Sequence, residues 1–442
     1  MLIQFSVRNY KTFKDRAVLS MVASNYDKDT REEDNVIEVP KFKLRLMKSA
    51  VVYGANASGK TVLTKAFDDM KYFVENSYGD SQKKKTIPVD SFKLHTDSEN
   101  DSTEFEVVFL HNEEMYRYGF EANQNSVIAE WLYHKPKTKE TELFYREEQE
   151  FEFHKSNFKK GTIIKKENLL FKNALLLSTA AQLNEINAKN VIDWFKKMGV
   201  ISGLKESEYR DFTLDEIENS DYRRKILDFL DAADVDILNI TPKKSEENNL
   251  YKIFFMKIKT SNPFNGIQNE EAVTYIEDIL TTHKKYNEKN MHIGDIQLSM
   301  DNDESEGTKK FFYLTGPILK VLETGMVMMV DELDSRLHPN LVNKIISLFN
   351  SKEHNPNNAQ LIFTTHNTNL LNSGLFRRDQ IWFTEKDRYG AASLFSLADF
   401  NDVRKDEKFE EHYLRGRYGA VPFLGSFDSL VHIERKVNEK EG

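Results

Sequence analysis

The sequence predicts an α/β fold in which an antiparallel β meander and a helical insertion interrupt a core of apolar strands and helices. The first observation is a glycine-rich segment at 54–61, which joins an apolar strand to a helix predicted over 62–73. The second is a pair of apolar runs far downstream, at 327–330 and 361–365, that both end in polar residues. The third is the alternating, strand-like pattern over 104–146, after which the chain becomes helical.

The glycine-rich segment reads GANASGKT and satisfies the pattern G-x-x-x-x-G-K-[ST] at every fixed position. Its glycines allow a tight loop with inward-pointing N–H groups, and the following helix directs its positive dipole end to the same place. Lys60 can then reach the β- and γ-phosphates of a nucleotide, and Thr61 can offer its hydroxyl to Mg²⁺. The alternative is a turn that binds nothing, which the correct strand and helix on either side disfavour. We predict a nucleoside triphosphate site formed by Gly54, Asn56, Ala57, Ser58, Gly59, Lys60 and Thr61.

A second motif, Asp331-Glu332, ends the apolar run at 327–330. Uncompensated buried carboxylates are costly, so two acids at the end of a buried strand indicate a function. Beside a phosphate loop, Asp331 would bind Mg²⁺ or its water, and Glu332 would polarise the attacking water. The alternative is a strand that merely ends at a polar surface.

Two further motifs accompany the acidic pair. His366 follows the run at 361–365, at the edge where parallel α/β sheets bind their ligands. Ser305 and Gly307 open a helix predicted over 309–322, and a helix N-terminus of this kind can bind an anion. An ordinary N-cap is the alternative for Ser305, and it is favoured when the segment is taken alone.

Composition limits the classes of function. The 442 residues suffice for two or three domains, and 30% of them are charged. The net charge of −9 gives no global basic field, so nucleic acid is a possible partner but not the default one. A lysine cluster over 155–166 would suit an anionic partner, although a solvated loop is favoured.

The absence of cysteine excludes disulfides, thiolate metal sites and cysteine nucleophiles. No run approaches the roughly 18 apolar residues of a membrane span, and the first residues lack a signal-like apolar region. We therefore expect a cytoplasmic protein with no membrane partner.

The rest of the chain predicts four units: an N-terminal part of the core with the meander (1–150), a mostly helical insertion (151–290), a C-terminal part of the core (291–400) and a tail (401–442). Alternation predicts meander strands over 104–110, 115–122, 127–134 and 141–146, with Phe105, Val107, Phe109, Tyr116, Tyr118 and Phe120 pointing to one face. A helical pattern covers 174–238, and it is followed by a strand predicted at 251–259 and a short helix predicted at 271–285.

In this order, the motifs resemble those of the ABC/SMC-like ATPase superfamily, over about 1–75 and 290–400. GANASGKT corresponds to the Walker A motif, VMMVDE to Walker B, LDSRLHP to the D-loop, ESEGT to the signature and TTH to the switch histidine. More narrowly, AQLIFTTHNTNLL, RRDQIWFTEKD and YLRGRYGAVPFLG resemble the "AAA family" ATPases of bacterial anti-phage abortive-infection systems, of the RloA/AbiLi type or the PARIS ATPase subunit. The signature departs from Ser-Gly-Gly-Gln, and no glutamine stands out as a Q-loop residue.

The resemblance implies an ABC/SMC-like P-loop head and an ATPase that uses ATP and Mg²⁺ at sites between two copies in a homodimer or larger homo-oligomer. One copy would contribute catalytic Lys60, Glu332 and His366, together with the metal ligands Thr61 and Asp331. The other would contribute Ser305 and Gly307 of the signature, and Asp334 of the D-loop would bridge the two. In the opening segment FSVRNYKTFKD, the resemblance implies phosphate or base contacts from Arg8, Asn9 and Lys11.

The resemblance also implies a separate effector, a TOPRIM-type nuclease or a toxin encoded nearby, that the nucleotide state controls. The tail at 413–427, with Arg415 and Arg417, or the meander would hold this effector. The alternative is a tail folded onto its own core.

Two other functions remain open. A RecF-like DNA-repair ATPase would need a basic DNA-binding face, which the net charge of −9 disfavours. A scaffold that binds ATP without turnover is hard to reconcile with Glu332, whose main use would be hydrolysis.

Overall fold

The computed structural model describes residues 1–83, 86–244, 276–404 and 407–422, and the predicted strand at 251–259 lies outside them. The strands are β1 Leu2–Arg8, β2 Ala17–Ser20, β3 Val36–Val39, β4 Leu44–Met47, β5 Ser49–Gly54, β6 Thr103–His111, β7 Glu114–Ala122, β8 Val127–Lys135, β9 Thr141–Glu147, β10 Glu150–Phe153, β11 Gly199–Ser202, β12 Asn239–Lys244, β13 Ile276–Tyr286, β14 His292–Ser299, β15 Val327–Asp331, β16 Gln360–Thr364, β17 Ile381–Lys386 and β18 Ala392–Ser396. The helices are α1 Glu32–Asn35, α2 Lys60–Gln82, α3 Gly161–Lys166, α4 Leu176–Gln182, α5 Ile186–Lys196, α6 Ser207–Glu216, α7 Ser220–Asp231, α8 Glu306–Thr324, α9 Pro339–Asn350 and α10 Phe409–Leu414.

The centre of the fold is a six-stranded sheet in the order β11-β15-β16-β5-β17-β18. Its first five strands are parallel, and only β18 runs antiparallel at the edge. Strands β5, β15 and β16 are buried at every position, as expected for a parallel sheet covered on both faces. The predicted Walker A, Walker B and histidine segments therefore leave three neighbouring strands at the same edge of one sheet.

A second, seven-stranded antiparallel sheet has the order β10-β9-β8-β7-β6-β1-β2. Helix α2 packs between the two sheets, where Phe67 meets Phe5 with ring centroids 4.6 Å apart and Phe73 meets Phe120 at 5.4 Å. The predicted meander is confirmed, because all six aromatic and aliphatic side chains assigned to its inner face are at most 1% exposed. Together the layers form the predicted α/β head with its antiparallel meander.

The segment predicted as a helical insertion differs from the prediction in two respects. Strand β11 lies within it but pairs in parallel with β15, so this part of the chain completes the core sheet. The helix predicted at 271–285 is wrong where the structure describes it, because β13 is a strand paired on one side with β12 and on the other with β14. Ladder pairing along both edges of β13 outweighs the weak local pattern that suggested a helix.

Helix α8, which begins after Ser305, is fixed to its neighbours around an internal proline. Pro317 has no N–H to donate to the carbonyl oxygen of Tyr313, four residues earlier. The hydroxyl of Thr213 on α6 donates to that oxygen instead, at 2.5 Å. Tyr222 on α7 donates its hydroxyl to the Gly316 carbonyl at 2.9 Å, so α6 and α7 hold the middle of α8.

No helix within the described residues is long and apolar enough to cross a membrane.

Candidate nucleotide site

The loop between β5 and α2 has the backbone of an anion-binding turn. Gly54, Ala57 and Gly59 all have positive φ, at 154°, 61° and 122°. A Cβ atom at Gly54 would lie 2.4 Å from Ser58 Oγ and 2.5 Å from Thr384 O, so only glycine fits there. The sequence pattern therefore reflects a real backbone requirement as well as space for a ligand.

Lys60 is the buried cation of this loop, with 5% of its surface exposed. Its Nζ donates to the carbonyl oxygens of Gly54 at 2.7 Å and Ala55 at 3.1 Å. Burial lowers the pKa of Lys60, and the nearby carboxylates of Asp331, Glu332 and Asp334 oppose that shift. The Walker A lysine and the three downstream acids thus belong to one electrostatic site.

Thr364, the last residue of β16, orients both acids of the Walker B motif. Its hydroxyl donates to Asp331 Oδ1 at 2.7 Å and accepts from the Glu332 backbone N–H at 2.8 Å. Thr364 is 2% exposed and Asp331 is 5% exposed, so little water competes for these bonds. One hydroxyl therefore fixes the carboxylate of Asp331 and the backbone of Glu332 together.

Glu332 adopts a left-handed backbone conformation, with φ at 52°. Such a conformation is costly for a residue with a side chain, and it persists where the surrounding contacts enforce it. Gly203, just beyond β11, lies against this turn and donates its N–H to Asp331 O at 2.6 Å. A Cβ atom at Gly203 would lie 2.2 Å from Glu332 O, so a side chain there would displace the turn.

His366 and Asp334 complete the set of residues at this edge. Strand β16 lies between β15 and β5, so His366, two residues beyond its end, is exposed between the Walker B and Walker A segments. Asp334 Oδ1 is buried and has no hydrogen-bond partner within the described residues. An unpartnered buried carboxylate oxygen calls for a ligand or partner group that the chain by itself does not supply.

The signature segment caps its helix and contacts the D-loop of its own chain. Ser305 Oγ accepts from the Thr308 N–H at 3.1 Å, so Ser305 is the N-cap of α8. Glu306 occupies the position of the first glycine in Ser-Gly-Gly-Gln, and it pairs with Arg336 of the D-loop at 3.0 Å. Ser305 and Glu306 are exposed, whereas a Cβ atom at Gly307 would lie 3.0 Å from Arg336 O.

The structure corrects the prediction for the N-terminal loop. Asn9 is 1% exposed, and its amide nitrogen and oxygen bind backbone groups of the loop at 92–102, so it braces that loop and does not face a nucleotide. Arg8 pairs with Asp101, Glu104 and Glu121, and Lys11 pairs with Asp90.

Thr12 and Phe13 of this N-terminal loop both adjoin the phosphate loop. Thr12 Oγ1 and Phe13 Cζ each lie 3.3 Å from the position that a Gly59 Cβ atom would take. This Oγ1 is buried and has no hydrogen-bond partner within the described residues. Thr12 therefore places a buried, unpartnered hydroxyl beside the phosphate loop.

The described part of the tail folds onto the core. Tyr413 of α10 stacks on Phe383 of β17, with ring centroids 5.4 Å apart. Arg417 pairs with Asp402 at 3.0 Å and Glu407 at 2.8 Å, and Arg415 pairs with Glu411 at 2.7 Å. Up to residue 422, the tail therefore adopts the alternative arrangement given above, in which it folds onto its own core.

The residues present fit a magnesium nucleotide better than a protein-held metal. Within the described residues, no group of three or more histidine, aspartate or glutamate side chains could hold a metal ion. Mg²⁺ usually takes one or two protein oxygens and completes its shell with phosphate and water. Thr61, exposed at the start of α2, and Asp331, oriented by Thr364, would supply those oxygens.

Sequence reasoning missed three residues that shape the site: Gly203, Lys310 and Thr364. Thr364 lies in the TTH segment, where only the histidine carried a sequence signal. Lys310 follows the signature, and its Nζ donates to three carbonyl oxygens of the turn after Asp331. Gly203 lies in a stretch that had only a helical pattern.

The chain was compared with curated proteins and with solved structures. No curated protein matches the chain. The SMC head domain from Thermotoga maritima is 12% identical, with a TM-score of 0.39 over 89% of this chain and 98% of that one. An SmcHead solved in complex with the C-winged helix domain of ScpA is 10% identical, also with a TM-score of 0.39, over 89% of this chain and 97% of that one.

A family model described as "AAA domain, putative AbiEii toxin, Type IV TA system" matches residues 49–372. The match begins in β5 and ends just past His366, so it spans the Walker A, signature, Walker B and histidine segments. It covers well over half of the chain. The match shows that the chain belongs to this AAA-domain family, and the geometry places the family's P-loop motifs at one edge of the parallel sheet.

Proposed function

We propose that the chain hydrolyses ATP to ADP and phosphate in a Mg²⁺-dependent reaction. One observation carries the proposal, namely the single hydroxyl of Thr364 that orients Asp331 and Glu332 beside the buried ammonium of Lys60. A site that only bound nucleotide would not need a second carboxylate at the end of the strand, held in a left-handed turn. The positions of Lys60 and the acids match the chemistry of phosphoryl transfer.

The chain's own groups would act as follows. Lys60 and the loop N–H groups would neutralise the β- and γ-phosphate charge, and Thr61 and Asp331 would hold Mg²⁺, which supplies further charge neutralisation. Glu332 would orient and deprotonate the attacking water. His366, between the two strand ends, would contact the γ-phosphate.

The proposal includes composite sites between two copies of the chain. Ser305 and Gly307 lie at an accessible helix N-terminus, and Asp334 keeps a buried oxygen that lacks a partner within the described residues. A second copy, presenting its signature to the nucleotide, would use both features. ATP would then join two heads, and hydrolysis would release them.

The test of hydrolysis uses two variants and one control. Glu332→Gln should retain ATP binding and lower turnover by roughly 10²–10⁴-fold, because the amide cannot accept the proton. Lys60→Ala should lose binding, because the phosphates lose their main cation. Exposed Glu353→Gln, beyond α9, should behave as wild type. Hydrolysis by Glu332→Gln at the wild-type rate would refute the catalytic assignment.

We further propose a role in anti-phage defence in the cytoplasm, where the nucleotide state controls a separate effector. The description of the matched family, which names a toxin of a type IV TA system, supports a defence or toxin–antitoxin setting. Because the described tail packs on its own core, the meander is the better candidate to hold the effector. Co-purification of the neighbouring gene product with wild type and Glu332→Gln tests this role, which fails if neither form retains a partner.

A further inference from the structure

Lys310, in the first turns of α8, is a fully buried lysine with no exposed surface. Its Nζ donates to Ser335 O at 2.6 Å, Ser335 Oγ at 2.9 Å, Leu333 O at 3.2 Å and Glu332 O at 3.4 Å. All four acceptors are uncharged oxygens of the turn that joins the Walker B motif to the D-loop. Lys310 therefore ties that turn directly to the helix that begins after the signature serine.

Stability alone does not explain a charge at this place. Burial lowers the pKa of Lys310 to about 8, which shows how unfavourable the environment is for the ammonium. The charged groups that face it are Asp334, Glu332 and Arg336 of the turn and Glu206 at the start of α6, and the three carboxylates only partly oppose the effect of burial. Apolar side chains of similar volume often fill such sites at lower cost.

The turn that Lys310 binds is strained at both ends. Glu332 has φ at 52° and Arg336 has φ at 59°, and the carbonyl groups that accept from Lys310 lie between or at these two residues. Left-handed backbone is unfavourable for a residue that bears a side chain, so it persists only where the surroundings enforce it. The ammonium of Lys310 donates hydrogen bonds to three carbonyl oxygens of this turn and so stabilises its conformation.

We infer that Lys310 is a positioning residue for ATP hydrolysis. Lys310 lies on the helix that follows the signature, and its ammonium fixes the position of the Glu332 backbone. The inference rests on the proposed function, since it assigns Glu332 to the attacking water. Because α8 begins at the signature, a shift of that helix moves Lys310 and with it the turn that carries Glu332. Engagement of the signature would thus be transmitted to the catalytic carboxylate within one chain.

The first test is Lys310→Met in the full chain, a change that keeps the length and removes the charge. Turnover at saturating ATP should fall by roughly 10²-fold, the scale of a misplaced catalytic group, while the affinity for ATP stays within about twofold. The matched control is Lys48→Met, because Lys48 is also buried with its pKa lowered to about 8 but lies before β5, at the opposite edge of the sheet. Lys48→Met should retain wild-type turnover.

The second test needs no variant and compares turnover with stability as the pH rises. Turnover of the wild type should fall above about pH 8, as Lys310 loses its proton. The sign for stability is opposite: the folded pKa lies below the unfolded value of 10.5, so this group makes the free energy of unfolding rise between about pH 8 and 10.5. Deprotonation of Lys310 should therefore lower the rate without lowering the midpoint of thermal unfolding. Lys48→Met should show the same dependence of turnover on pH as the wild type.

The results separate the two proposals. A wild type that hydrolyses no ATP would refute the proposed function itself. Hydrolysis that is equally fast in folded Lys310→Met, or a wild-type rate that stays constant to pH 9.5, would overturn the role of Lys310 and leave the ATPase assignment intact. If Lys310→Met does not fold, a wild-type rate that stays constant to pH 9.5 still overturns the role of Lys310, and Lys310→Arg, which keeps the charge at high pH, should keep its rate above pH 8 if the role is correct.

Discussion

At the scale of single residues, the site depends on a few polar contacts that hold the catalytic groups by their backbone. The single hydroxyl of Thr364 bonds to the Asp331 carboxylate and to the Glu332 N–H. Because Gly203 lacks a side chain, its backbone can contact the turn that carries these two residues. These contacts position the catalytic groups but do not take part in the reaction. Their removal should therefore affect turnover more than nucleotide binding.

Thr364→Val is the most direct test of this idea. The change keeps the volume but leaves the Glu332 N–H and one Asp331 oxygen without their buried partner, at a cost of about 1–3 kcal/mol in unfolding free energy. We expect turnover to fall at least about tenfold while ATP still binds. Thr364→Ser retains the hydroxyl and should restore most of the rate, as measured by steady-state hydrolysis and denaturant unfolding. Equal rates in the valine and serine variants would show that the hydroxyl does not orient the acids.

At the scale of secondary-structure elements, α8 is the part that connects the signature to the rest of the core. Its N-terminus is capped by Ser305, its first turns carry Lys310, and its middle is held by α6 and α7 around Pro317. A proline inside a helix normally leaves a carbonyl group unpaired. Here the hydroxyl of Thr213 takes the place of the missing N–H.

Because the Thr213 hydroxyl replaces the missing N–H of Pro317, we predict that substitutions of these two residues have non-additive effects on the free energy of unfolding. Thr213→Val should lower the free energy of unfolding by about 1–3 kcal/mol, because the Tyr313 carbonyl oxygen is left buried and unpaired. In a Pro317→Ala background, the restored N–H of residue 317 can bind that oxygen, so the same change should cost less. A double-mutant cycle by denaturant unfolding measures the difference, expected at about 0.5–3 kcal/mol. Strict additivity would mean that Thr213 does not compensate for the proline.

At the scale of the whole molecule, the fold brings the Walker motifs to one edge of the parallel sheet and places the signature against its own D-loop. The proposed second copy would complete the site from outside. Ser305 is exposed, and its hydroxyl bonds to Thr308 of its own helix. The composite arrangement therefore has a clear test in mixtures of variants.

Ser305→Arg should block closure of one head on another while leaving ATP binding intact, so it should hydrolyse little ATP. Lys60→Ala should also be inactive. A mixture of the two should regain part of the activity, because each mixed dimer has one site damaged on both sides and one intact site. Recovery is measured as ATP hydrolysis after subunit exchange has been shown by size and labelling. Absence of recovery in an exchanging mixture would indicate that each chain completes its own site.

Much of the site could be predicted because its chemistry is written in short, contiguous segments. The phosphate loop, Asp331-Glu332 and His366 each combine an apolar strand with the polar residues that end it, and parallel strands deliver such ends to a common edge. The meander could be predicted as well, because apolar residues alternate with polar ones along a half-buried strand. These features depend on local backbone geometry, which the sequence states directly.

The errors have a common physical origin in contacts between distant parts of the chain. Asn9 looked like a nucleotide contact from its place in a motif, but its amide is fully used by the loop at 92–102. The segment around β13 looked helical, but pairing with two neighbouring strands made it the centre of a sheet. In both cases the local pattern was compatible with several partners, and the tertiary structure chose among them.

By itself, therefore, the sequence determined the phosphate loop and the acidic pair and indicated an ATPase of the P-loop class, because each of these motifs rests on residues adjacent along the backbone. Only the tertiary structure decided how the acids are held. Gly203 and Ser335 meet across a separation of 132 residues, and Lys310 reaches the same turn from a different helix. No spacing in the sequence encodes such a meeting, since it arises from the packing of strands and helices around one buried turn.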